Sequence, residues 1–141
     1  MPERSALRLR AVLALCVMIA GCAASGGPPV IRDGEPCVAC GMAIHDRHFA
    51  SARGEGGRAR AYDAIECLLR DSTAAGRAWL SDYDQATLHD ADSMWVVRAD
   101  IVTPMSGGFA AFRDRAAADA VAAERSGRVG RLGEFAREVP R

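Results

Sequence analysis

The residues best suited to chemistry are the pair Cys37-Val38-Ala39-Cys40, followed at once by Gly41-Met42. Two thiols at this spacing in a turn can converge on one point, and three kinds of chemistry use them. A thioredoxin-type redox pair needs the motif at a helix start after a strand, where the helix dipole lowers the thiol pKa. Here a glycine follows the second cysteine, and neither a helical period nor a βαβ pattern surrounds the pair. A zinc knuckle needs four nitrogen or sulfur donors in a tetrahedron. No second Cys-x-x-Cys is present, and Cys67 with His45, His48 or His89 would complete a set only at irregular spacing. A soft site for Cu(I) needs two to four thiolate or thioether ligands. Met42 and Met105 suit that third reading. Both lie beside glycines in loops, Met105 within Pro104-Met105-Ser106-Gly107-Gly108, and neither belongs to an apolar stripe. Met94, inside the strand-like run Ser93 to Arg98, is expected in the core.

The remaining cysteines narrow the choice. Of five, Cys16 lies in an apolar run, Ala11 to Ala20, preceded by Arg4, Arg8 and Arg10. A basic start, an apolar stretch of about 10 residues and small residues at a cleavage point are the parts of a secretory signal. The stretch is short of the roughly 20 residues of a membrane span. Ile19-Ala20-Gly21-Cys22 resembles a bacterial lipobox, which implies diacylglyceryl modification of the Cys22 thiol and cleavage before it. With Ala23 rather than Asp as its neighbour, the anchored chain is expected at the outer membrane, facing the periplasm. Cys37, Cys40 and Cys67 are then the free thiols. An odd number of thiols in an oxidising compartment fits a disulfide framework poorly and favours a metal or redox role.

The elements that must position these residues follow from pattern. Residues 1–21 read as the signal, and 22–35, rich in Gly, Pro and Ala, as a flexible tether. Residues 36–141 then form one small domain, of a size that often leans on a metal or disulfide. Within it, His48 to Arg53 and Arg58 to Tyr62 read as a hairpin around Gly54-Glu55-Gly56-Gly57. A helix follows, with Asp63 and Glu66 as a capping box and an end near Gly76. Trp79 to Tyr83 is a short strand, and Asp84 to Asp92 a polar connection. Strands Ser93 to Arg98 and Phe109 to Phe112 precede an Ala-rich helix, Arg115 to Arg125, capped by Asp114 and stopped at Gly127. Arg128 to Leu132 is a last strand, with a short helix over Gly133 to Val139. Strand-strand-helix-strand therefore occurs twice.

Several function classes drop out. Formal charge is balanced over the whole chain and slightly acidic without the signal. No basic block interleaved with aromatics is present, which argues against a nucleic-acid partner. No nucleophile-base-acid set, phosphate-cradling glycine loop or paired carboxylate motif stands out, which argues against an enzyme. His45 and His48 read as surface residues.

The order Cys37-x-x-Cys-Gly-Met42, Ala61-Tyr62-Asp63-Ala64-Ile65-Glu66-Cys67-Leu68-Leu69, Asp82-Tyr83, Asp90-Ala91, Pro104-Met105-Ser106-Gly107-Gly108 and Ala111-Phe112 resembles the NosL family. These are copper-binding accessory lipoproteins of nitrous oxide reductase. The resemblance runs from the lipobox to about Leu132. It implies a small α+β domain of two ββαβ units and a Cu(I) cargo. It further implies delivery in the periplasm to nitrous oxide reductase, with an ABC-type membrane complex as partner and a homodimer as one compatible state. Carried over residue by residue, the ligand candidates are Cys37, Cys40, Met42 and Met105, with Cys67 as a further one. Two features depart from the family pattern: Met105 is followed by Ser106 where glycine is usual, and the His-rich tail of some relatives is missing. A structural zinc domain and a periplasmic thiol-disulfide oxidoreductase stand as the alternatives.

Overall fold

The computed structural model describes residues 26–140. The signal, the cleavage point and Cys22 lie outside the described residues. Among the described residues no helix is long and apolar enough to cross a membrane.

Among the described residues, nine strands and two α-helices form the domain. A two-residue hairpin, β1 (Glu35–Pro36) and β2 (Ala43–Ile44), comes first. The first full unit is β3 (Ser51–Arg53), β4 (Arg60–Tyr62), α1 (Ile65–Arg70) and β5 (Ala78–Ser81), followed by β6 (Leu88–Asp90). The second is β7 (Trp95–Arg98), β8 (Phe109–Phe112), α2 (Arg115–Glu124) and β9 (Arg128–Gly130). The sheets run β4-β3-β5-β6 and β8-β7-β9, all neighbours antiparallel. Both units place their first strand between their second and third. The α+β class and the doubled ββαβ plan expected from the sequence are therefore present, with β6 added at one edge. A parallel bridge between Asp82 and Ala111 joins the two sheets. It is held by Tyr83 N–H to Ala111 O at 2.7 Å and by Arg113 N–H to an Asp82 carboxylate oxygen at 3.2 Å.

The core has two parts. Ile44, Tyr62, Ile65, Leu68, Leu80, Met94, Val96 and Phe109 fill the larger one between the sheets and α1. Phe49, Val97, Ala110 and Phe112 meet Ala118 and Ala122 of α2 in the smaller one. Met94 is fully buried in the larger core as expected, although it lies just ahead of β7, after the 3-10 turn Ala91–Ser93, and not within the strand. Packing begins ahead of Pro36: Ile31 is only 2% exposed and belongs to the larger core.

Three differences from the expected layout have local causes. Helix α1 ends at Arg70 rather than near Gly76, because Asp71 turns the chain. Its carboxylate accepts the backbone N–H and hydroxyl of Thr73, at 3.0 and 2.7 Å. The helix also has no side-chain cap: Ala64 occupies that position in extended conformation, and Asp63 is one residue too early to serve. By contrast Asp114 caps α2 as expected, accepting from Ala116 N–H. Finally, β6 lies within the supposed polar connection, as an edge strand.

Asp71 also carries an acid-labile contribution to stability. Besides Thr73 it meets the Tyr62 hydroxyl at 2.8 Å and the Arg60 guanidinium at 2.8 Å. The Thr73 bonds first, then Tyr62 and Arg60, hold its carboxyl at about 2, below the ordinary 3.8. Burial and the bond to Asp71 push Tyr62 up to about 12. A carboxyl whose folded pKa is depressed stabilises above its unfolded pKa and loses that stabilisation as pH falls. Unfolding free energy should therefore drop by roughly 2 kcal/mol as pH falls from about 5 to 2 on account of this group alone. Urea titrations across that range should show the drop in the wild type and a flatter profile in Asp71→Asn.

Candidate metal centre

The centre is assembled where β4 hands over to α1. The β1–β2 hairpin closes the loop 37–42 into a knuckle, with Cys37 N–H to Met42 O and Gly41 N–H to Cys37 O, each at 2.8 Å. Gly41 takes φ +78°, a left-handed conformation that glycine adopts without a Cβ penalty. Val38 N–H donates to Ala61 O at 3.0 Å and seats the knuckle on β4. Two residues beyond that anchor comes Asp63, and four further on Cys67, on the first turns of α1.

The ligand atoms of Cys37, Cys40, Asp63 and Cys67 all lie within 4.8 Å of one another. Cys40 Sγ is 3.5 and 3.6 Å from the two Asp63 carboxylate oxygens. Cys37, Asp63 and Cys67 are buried and Cys40 is exposed. All three cysteines are free thiols. Thiolates around a tetrahedral ion at ~2.3 Å lie roughly 3.8 Å apart, so ion binding asks the donors to close by about 1 Å or less. The donor set fits a thiophilic ion.

Two of the thiols, Cys40 and Cys67, are held as proton-bearing groups. Burial, then contact with Asp63 and the neighbouring cysteines, raises Cys67 far above its ordinary range. Burial likewise raises Cys40, against a lowering by the Met42 backbone, and Cys37 and Asp63 add to the rise. A catalytic redox cysteine shows the opposite shift. The pair also lies in a turn and not at a helix N-terminus. Both observations weigh against the oxidoreductase alternative.

The structure thus unites Cys37, Cys40 and Cys67, and gives Cys67 an equal place in the cluster. It adds Asp63, which reads from the sequence as a helix cap and is instead a buried carboxylate facing thiols. The spacing Asp63-x-x-x-Cys67 was the available signal: four residues return the chain to one side of a turn. Met42 is exposed at the rim of the knuckle, 44% accessible. Met105 is half-buried against the larger core, in a loop tied to α1. Glu66, the second half of the supposed capping box, makes that tie. Its Oε1 accepts Gly107 N–H at 2.9 Å and the Thr103 hydroxyl at 3.2 Å. A Cβ on Gly107 would stand 2.5 Å from the same oxygen, so only glycine permits the approach. None of the three histidines joins the cluster. His45 meets Asp33, His48 meets Tyr83 O, and His89 meets Thr87.

Comparison with solved structures gives a match to the crystal structure of the copper chaperone NosL from Shewanella denitrificans. The TM-score is 0.64 at 16% sequence identity, over 77% of this chain and 94% of that one. The chain has the fold of that chaperone. No family model matches the chain, and a search of curated proteins gives no match. The NosL-like fold expected from the knuckle and the Pro-Met loop is thereby present at the level of architecture.

Proposed function

We propose that this protein is a Cu(I)-carrying metallochaperone, anchored through a lipid on Cys22 and facing the periplasm, that delivers copper to nitrous oxide reductase during its assembly. The observation that carries the copper reading is the convergence of three thiols, two buried and one exposed. The fold shared with a copper chaperone supports it. Soft thiolates select Cu(I) over harder ions. Cys37, Cys40 and Cys67 hold the ion, with the thioethers of Met42, on the knuckle, and of Met105, on the Pro-Met loop, as exchangeable ligands. An ABC-type membrane complex is the proposed partner in the handover. Copper is cargo here, and no bond-making chemistry on a substrate is proposed.

The thiols must lose protons to bind, so affinity rises with pH. This sets the carrier's terms: it loads where thiolates can form and releases to a site offering stronger or more numerous soft donors.

A structural zinc site is the second reading, and Asp63 is what favours it. A carboxylate beside three thiolates completes a tetrahedral set for zinc, whereas two or three sulfurs alone suffice for Cu(I). Asp63→Asn separates the two. For a copper carrier, competition with a colorimetric Cu(I) chelator should show less than about 3-fold change in affinity, because the lost oxygen is a hard donor. A zinc domain should instead lose on the order of 100-fold in zinc affinity, and chelation should unfold it. Tightly held zinc in the purified wild type, with no stoichiometric Cu(I) uptake under reducing conditions, would overturn the copper reading.

A further inference from the structure

A cavity of about 250 Å³ opens beside the cluster, lined by Val38, Ala39, Cys40, Cys67, Arg70 and Asp71. Two of the three thiol residues therefore belong to its wall. Its charge is asymmetric. Asp71 is already occupied by Arg60, Tyr62 and Thr73. Arg70 is exposed, at the end of α1, and among the described residues no carboxylate pairs with it. The free charge lining the cavity is one guanidinium, a group suited to gripping a carboxylate with paired N–H donors. The volume is below the ~300–1,000 Å³ of drug-sized sites, which limits the occupant to one amino-acid-sized group. Val38 and Ala39 add apolar lining.

We propose that this cavity admits a thiol that bears a carboxylate a few bonds from its sulfur, with Arg70 as the residue that selects for the anion. The inference rests on the Cu(I) reading for its purpose. The incoming thiol gives its proton to solvent and its sulfur bonds to Cu(I). The bond from copper to the exposed Cys40 breaks, and the Cys40 thiolate takes up a proton. Copper remains Cu(I) throughout, and no electron changes hands. Cys37 and Cys67, both buried, hold the ion during the exchange. The chemistry is shared by a free aminothiol acid and by a protein cysteine next to an acidic residue.

Two measurements test this. The first uses the metal-free protein: Cys40 is alkylated with iodoacetate and, separately, with iodoacetamide, and the modified peptide is quantified. The reagents share reaction chemistry, displacement of iodide by thiolate, and differ in charge. At low salt the iodoacetate-to-iodoacetamide rate ratio should fall on the order of 5-fold in Arg70→Gln, since the guanidinium raises the local concentration of the anion. An unchanged ratio in a variant with native circular dichroism overturns the proposal. The second uses the Cu(I)-loaded protein and follows copper release to an indicator in the presence of L-cysteine, cysteamine, or a blocked peptide in which aspartate follows cysteine. L-Cysteine should outperform cysteamine by roughly 5-fold in the wild type and equal it in Arg70→Gln. Equal effectiveness in the wild type again overturns the proposal. Activity of the peptide identifies a protein as the source of the ligand, and activity of the free amino acid alone identifies a small molecule. The alkylation arm needs no metal. An Arg70-dependent ratio in a protein that fails to bind Cu(I) upholds the anion-selective cavity and removes the copper reading on its own.

Discussion

Cys67→Ser should abolish tight Cu(I) binding while leaving the fold intact. Serine is nearly isosteric, so the packing around a residue with no exposed surface is kept, and the thiolate is replaced by a hard, weakly acidic hydroxyl. Loss of one supporting contact at a metal site costs ~10–100-fold in affinity. Loss of a directly bonded sulfur should exceed that, with an expected drop of at least about 100-fold. Competition against a Cu(I) chelator at fixed pH reads it directly. Cys37→Ser should match it, because Cys37 is equally enclosed. Cys40→Ala should bind more weakly too, and exchange faster. Met94→Leu is the control: its thioether lies in the core, and its loss should leave copper affinity unchanged. A Cys67→Ser protein that binds as tightly as wild type would remove Cys67 from the ligand set and return the site to the knuckle and the loop methionines alone.

Glu66→Ala should be the most destabilising single change outside the large core residues. The side chain is 1% exposed. One oxygen ties α1 to Thr103 and Gly107, while the other, Oε2, has no partner and is buried. Truncation leaves the Gly107 N–H and the Thr103 hydroxyl without their acceptor and opens a cavity, for a combined cost of about 3 kcal/mol. In a domain of this size that corresponds to a fall in melting temperature of roughly 10–20 °C. Glu66→Gln keeps an acceptor oxygen in place and replaces the unpartnered oxygen by an amide, so it should cost markedly less. Equal losses in the two variants would show that the hydrogen bonds to the loop contribute little and that volume alone matters. Because the loop carries Met105, the alanine variant should also blur the Met105 environment. Its methyl resonance in NMR spectra should broaden, and that of Met94 should not.

The same residues show what a sequence can and cannot disclose. The hairpin, the Ala-rich helix and the strand Phe109–Phe112 are legible because their apolar periods and turn residues agree with one another. The two-residue strands β1 and β2 are too short to express any period. Strand β6 is half-buried and polar because only one neighbour covers it, so its Leu88-His89-Asp90 looks like a connection. The cysteine pair is legible as a soft site from residue type alone. Asp63 and Glu66 are not, since their spacing satisfies a helix cap and their true partners lie across the fold: three thiols for one, a loop some forty residues away for the other. Local rules were met at these positions and then overridden by tertiary contacts. Such conflicts between local pattern and final structure concentrate at functional sites.

The burial of Ile31 has a consequence for logistics. Pro29 just ahead of it is buried as well, so for a domain anchored through Cys22 as proposed the reach between anchor and fold is bounded not by the whole stretch to Glu35 but by the six residues from Ala23 to Pro28. At ~3.5 Å per residue these span at most about 21 Å. That is less than the thickness of one bilayer with its headgroups, ~40–45 Å. The carrier therefore works within a thin shell against its own membrane, and whatever receives its cargo must come to that shell.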